Sequence, residues 1–178
     1  MKKYLSLFLV FSLAGCQGNK EVKEILATPQ QVTSTNKTTE QIVLEKTQPL
    51  ADYSKLILPY QERLKSNLEQ FNLIVNLGSS SPTFKADLDA NCKELLQIVS
   101  EIKALDVGKD EGVRSVFSMF SLAMNEYQYV AYFYPQAISN SNSLEIQNSI
   151  SAMKKAGDYI KQSEAKFLQL TAEALTHK

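Results

Sequence analysis

Groups able to act as nucleophile or general base are scarce in this sequence, and their positions limit what they can do. The only histidine, His177, sits beside the last residue, where chain ends fray. A Ser–His or Cys–His pair needs an ordered base held by a third group. No Gly-x-Ser-x-Gly, His-Glu-x-x-His or Cys-x-x-Cys occurs, so the hydrolase elbow, zincin and dithiol redox signatures are absent. Asp87-Leu88-Asp89-Ala90-Asn91 sets oxygen ligands at alternate positions, as the start of a calcium loop does. However, Cys92 stands where that loop turns on glycine, and Ile98 where it needs a bidentate glutamate. Gly108-Lys109 lacks the upstream glycine of a phosphate loop. The sequence therefore assigns no catalytic residue, no metal and no cofactor. What stays open as an alternative is a hydrolase-type enzyme with a carboxylate site in a crevice between helices.

Cysteine offers more. The chain starts Met1-Lys2-Lys3, runs through the apolar stretch Tyr4 to Leu13, and reaches Ala14-Gly15-Cys16. A short basic end, an apolar stretch and small residues before a cut site make an export signal. The apolar stretch is too short to span the hydrocarbon core, which takes about 20 residues. Leu13-Ala14-Gly15-Cys16 resembles the lipobox of bacterial lipoproteins. The resemblance implies cleavage before Cys16, acylation of its thiol and, in many bacteria, of its new amine, so that palmitate-type chains anchor the protein to a membrane. Two or more chains anchor stably where one does not. It further implies a cell-envelope location: the outer membrane of a Gram-negative host, since Gln17 rather than aspartate follows Cys16, or the outer face of a Gram-positive cell membrane. Cys92 is then the one unmodified thiol: it could pair between molecules or act as a reactive thiol, or, on the apolar spacing Leu88, Cys92, Leu95, Val99, serve as a small hydrophobe.

Losing Lys2 and Lys3 with residues 1–15 leaves 17 basic residues against 19 acidic ones. That balance gives no footprint for nucleic acid, which wants a basic face. From residue 17 to 50 there is no aromatic, and Thr, Gln, Asn, Ser, Lys and Glu dominate. Such a segment buries too little apolar area to offset its ordering entropy. Residues 16–50 thus read as the lipidated cysteine and a disordered tether, averaging roughly 30 Å end to end as a random coil. Residues 40–46 could form a transient turn of helix or dock on the domain.

From Tyr53 onward the apolar residues recur every three or four positions, the helical repeat. Residues 51–178 therefore form the folded domain, in four segments. The first carries Tyr53, Ile57, Tyr60, Leu64, Leu68, Phe71 and Ile74, with Gly78 as C-cap; Pro59 kinks it or sits in its first turn. The second runs from Phe84 through Leu105 and ends near Gly108. Asp110 reads as N-cap of the third, which stops around Pro135. Asn142 with Glu145 reads as a capping box opening the fourth, whose inward residues include Ile146, Ile150, Met153, Ala156 and Ile160. No stretch alternates with period two. The expected fold is all-α, an antiparallel up-and-down four-helix bundle.

The third segment holds the most unusual stretch. Between Arg114 and Glu145 the sole charge is Glu126, and Tyr127 to Pro135 is densely aromatic. Spacing turns Tyr127, Val130, Ala131 and Tyr134 inward and leaves Tyr129, Tyr132 and Phe133 on a neighbouring face. One reading is a central helix touched on several sides. The other is a partly exposed aromatic groove, since tyrosine is enriched where proteins bind partners. The expectation is a non-catalytic binding or structural module, held to the membrane through Cys16, with an envelope protein, a glycan or a small apolar ligand held between helices as its partner and Tyr129, Tyr132 and Phe133 as its binding surface.

Overall fold

The computed structural model describes residues 38–176, all helix and short connections. Helix α1 spans Thr39–Leu77, α2 Phe84–Lys103, α3 Glu111–Ser139 and α4 Ser143–Thr176, with a 3-10 turn at Gly78–Ser80. The expected export signal (residues 1–15), Cys16 and His177 lie outside the described residues.

Helix α1 starts well before the expected boundary, so residues 39–50, read from sequence as tether, are helical. Local chemistry opens it: the Thr38 hydroxyl accepts from the Gln41 amide, and the Gln41 side chain accepts from Thr38 N–H, a complete capping box. Burial then holds it, because Leu50 and Tyr53 both enter the core. Pro49 and Pro59 lie inside α1, and Pro135 lies inside α3, which runs on to Ser139 rather than stopping. Each proline removes one main-chain donor. Pro59 is exposed, so water can serve the Lys55 carbonyl it frees. Beyond Pro135, burial of Ala137 and partial burial of Ile138 keep α3 packed.

Asp110 caps α3 as the sequence predicts, its Oδ1 accepting from Val113 N–H at 2.8 Å. Of the box expected at α4 only half forms: Asn142 Oδ1 accepts from Glu145 N–H at 3.2 Å, but the Glu145 carboxylate takes the Tyr129 hydroxyl and Asn142 N–H donates to the Ala137 carbonyl. Gly78 closes α1 with φ of 52°, in the left-handed region that suits glycine. Helix α2 ends at Lys103 rather than near Gly108, which instead turns the loop with φ of 78°.

The helices form a four-sided bundle. Helix α1 packs on α2, α2 on α3 and α3 on α4; α1 meets α4 more sparsely, and α2 and α4 do not approach each other. Cross-helix pairs follow the sense of consecutive antiparallel helices. Arg63 of α1 meets Glu101 near the end of α2, and Val116 near the start of α3 meets Ser163 near the end of α4. Diagonally, Tyr53 faces Phe117 and Phe71 faces Tyr134, so α1 and α3 run in step.

The core joins Leu64, Leu88, Leu95, Ile98, Ile102, Val116, Phe120, Met124, Tyr127 and Ile160, among others. Burying one large apolar side chain contributes about 1.5–3 kcal/mol. One inward assignment fails: Ile150 is 58% exposed, while Ser149 is buried. Small residues Ser149, Ala152 and Ala156 are buried on α4, whose most extensive packing is against α3.

Candidate binding surface on helix three

Helix α3 sorts its aromatics by angle. Tyr127, Val130, Ala131 and Tyr134 are buried, and Tyr134 packs against Phe71 of α1 with ring centroids 5.3 Å apart. One step around the helix, Tyr129 is half-buried, Phe133 is 42% exposed and Tyr132 is 50% exposed. The three residues expected to form a binding surface are thus neither sunk in the core nor fully free.

They do not form one contiguous slot. Tyr129 and Phe133 stand four residues apart on the α4 side, with ring centroids 4.6 Å apart and planes tilted by 44°. The Tyr129 hydroxyl donates to the Glu145 carboxylate in the first turn of α4. That bond raises the Tyr129 pKa, and burial and carboxylate repulsion add to it, while a hydrogen bond with Asn148 works the other way. Tyr132 faces the α2 side. One turn earlier on that side, Gln128 accepts from Lys103 Nζ at 2.9 Å, as does Asn125. The arrangement can therefore stack or cover a partner's apolar group at two flanks of α3, with one hydroxyl already engaged.

Four polar side chains sit in the core where sequence reading placed none: Asn67, Asn91, Ser149 and Ser163. Asn67 falls three residues after Leu64 and four before Phe71, inside the apolar repeat, so its position was the available signal. The Ser163 hydroxyl donates to the Val116 carbonyl at 3.0 Å and ties α4 to α3. Cys92 lies buried on the apolar face of α2, and burial lifts its thiol to about 12, with Asp89 adding a smaller push. At that pKa almost no thiolate exists near neutrality.

Carboxylates are spread out. Among the described residues with known burial, every Asp and Glu is exposed or half-buried. Glu164 has its pKa raised by burial, with Lys161 opposing the shift. The Asp87-x-Asp89-x-Asn91 trio is drawn apart by the turn of α2: Asp87 accepts from Thr83 at 2.6 Å, whereas Asn91 points into the α1 contact. No group of three or more metal-binding side chains comes together among the described residues. A shallow, open cleft at the opposite end of the bundle is lined by Lys46, Leu50, Asp110, Gly112, Leu170 and Glu173, and there Asp110 is already committed to capping α3.

No family model, no curated protein and no solved structure matches this chain. Among the described residues, no helix is long and apolar enough to cross a membrane.

Proposed function

We propose that this protein is a lipid-anchored lipoprotein of the bacterial cell envelope whose helical bundle acts by binding and not by catalysis. The anchor rests on Leu13-Ala14-Gly15-Cys16. The binding role rests on one observation: Tyr132 and Phe133 stay half in water on a helix whose other aromatics are buried or half-buried. Covering the exposed half of such a side chain contributes about 1 kcal/mol, and aromatic side chains are enriched in interface cores. With α1 starting at Thr39, 22 residues lie between Cys16 and α1.

Two measurements test the two halves separately. In cells fed labelled palmitate, the unaltered chain takes up label and fractionates with membranes; Cys16→Ala does neither. Label on Cys16→Ala defeats the anchor. For binding, the intact lipoprotein is used to recover partners from membranes, beside Tyr132→Ala and Phe133→Ala. Equal recovery by both variants removes the α3 surface from the proposal.

A further inference from the structure

Helix α1 carries two start signals. The first is the Thr38–Gln41 capping box that opens it. The second lies inside it: Thr47 is an N-cap residue type, and Pro49 just after it suits the first turn of a helix and not its interior. Two features that bend helices act at this place. Pro49 has no N–H to give the turn before it. The Thr47 hydroxyl donates to the Val43 carbonyl at 2.9 Å, a back-bond of the kind that bends helices.

Burial changes at the same point. No side chain from Gln41 to Pro49 is buried; Val43, Thr47 and Pro49 are half-buried and the others exposed. Directly after them Leu50, Tyr53 and Ile57 are buried, and Tyr53 meets Phe117 of α3 and Phe167 of α4. The other two prolines inside helices sit differently. Ile57 and Leu64 are buried on either side of Pro59, and Tyr134 and Ala137 on either side of Pro135. Of the three, only Pro49 divides a stretch seated in the core from one with no buried side chain. A stretch as short as residues 38–46 is marginal as a helix in water by itself.

That stretch also supplies a wall. Lys46 lines the cleft that Leu50, Asp110, Gly112, Leu170, Glu173 and Ala174 complete. The cleft holds about 250 Å³, just under the roughly 300–1,000 Å³ of small-molecule sites.

We propose that residues 38–46 are a hinged arm, which swings about Thr47–Pro49 and widens this cleft while the rest of the bundle stays folded. Closed, the arm gains its helical hydrogen bonds and partial cover for Val43. Open, α1 begins at its second start signal with Pro49 in a first turn, and Leu50 and Tyr53 keep their places in the core. Little burial separates the two states, and segments of that kind open without global unfolding. No residue of the α3 aromatic surface takes part.

Amide hydrogen exchange on the full chain reads the arm directly. Residues 42–46 are expected to share one level of protection, at least about tenfold below that of residues 57–74, with a single step between Lys46 and Ile57. Pro49→Ala, which returns a main-chain donor and removes the first-turn preference, is expected to slow exchange in the arm about tenfold. Alkylation of the thiol in Ala174→Cys, at a buried position lining the cleft, is expected to slow by the same factor when Pro49→Ala is added. Arm amides as protected as residues 57–74 overturn the hinge, and so does a gradual rise in protection from residue 42 onward, which is simple fraying. Slower arm exchange with unchanged alkylation overturns the arm's control of the cleft.

Discussion

Asn67 and Asn91 clasp each other across the α1–α2 contact. Asn67 Nδ2 donates to the main-chain carbonyl of Asn91 at 3.1 Å, and Asn91 Nδ2 donates to that of Asn67 at 3.0 Å. Both residues are buried, and the clasp allows one register of α1 against α2. A second, longer contact joins Asn67 Nδ2 to Glu94 at 3.4 Å.

Loss of either amide should cost stability. Asn67→Ala removes the bond to the Asn91 carbonyl and the longer contact with Glu94 and leaves a small void, for an expected loss of about 1–3 kcal/mol in urea unfolding at pH 7. Asn67→Asp is nearly isosteric but has no donor when ionised, and it buries a charge against a carbonyl, so it should cost more than alanine. Its carboxyl pKa would be raised in the folded state, and a raised pKa contributes stability only at low pH. The deficit should shrink as pH falls, because the protonated acid can donate. A deficit that grows toward pH 4, relative to the unaltered chain, contradicts the clasp.

Leu50 reports on the early start of α1. It is buried at the end of the bundle that the sequence assigned to the tether. Leu50→Ala should lower stability by about 2–3 kcal/mol. Leu44→Ala, at a position 61% exposed, should stay within about 0.5 kcal/mol. Equal effects would mean that residues 39–50 do not belong to the cooperative unit.

The helical glycines separate propensity from packing. A methyl group on Gly157 meets nothing within 4 Å, so Gly157→Ala should stabilise by about 0.5–1 kcal/mol. On Gly112 the same atom would lie 3.1 Å from Asp110 Oδ1 and 3.2 Å from Leu170 Cδ1. There the propensity gain is offset by pressure on the α3 cap and the α3–α4 contact, and the net change should be near zero or unfavourable. Thermal melts of the two variants decide this directly; a larger gain at Gly112 than at Gly157 contradicts it.

Alkaline pH should unfold the bundle progressively. Burial lifts Cys92 from 9.0 to about 12 and Tyr53 from 10.0 to about 12, and it lifts Tyr127 as well. Unfolded, these groups lose their protons at lower pH, so the unfolded chain binds fewer protons than the native one above about pH 9. Their contribution is complete below that point and declines as pH climbs toward the folded values. Urea midpoints should fall from pH 8 to pH 11, and Cys92→Ala should flatten the first part of the fall. A flat profile contradicts the burial of these three groups.

The helical class was legible in the sequence because it depends on near neighbours. Three- and four-residue apolar spacing, Asp110 and Asn142 as caps and Gly78 as a stop all act within a turn or two of chain. So did the outward angle of Tyr132 and Phe133, which follows from the 100° step per residue. Contacts between helices depend on how each one rotates against another, and no local pattern carries that. It took the tertiary structure to seat Leu50 in the core, extending α1 back to Thr39, and to let α1 and α3 run through Pro49, Pro59 and Pro135. The same packing traded Ile150 for Ser149, paired Asn67 with Asn91, and set Glu145 under the Tyr129 hydroxyl. A one-turn difference in how two helices dock would have changed each of those outcomes while leaving every cap and every apolar repeat in place.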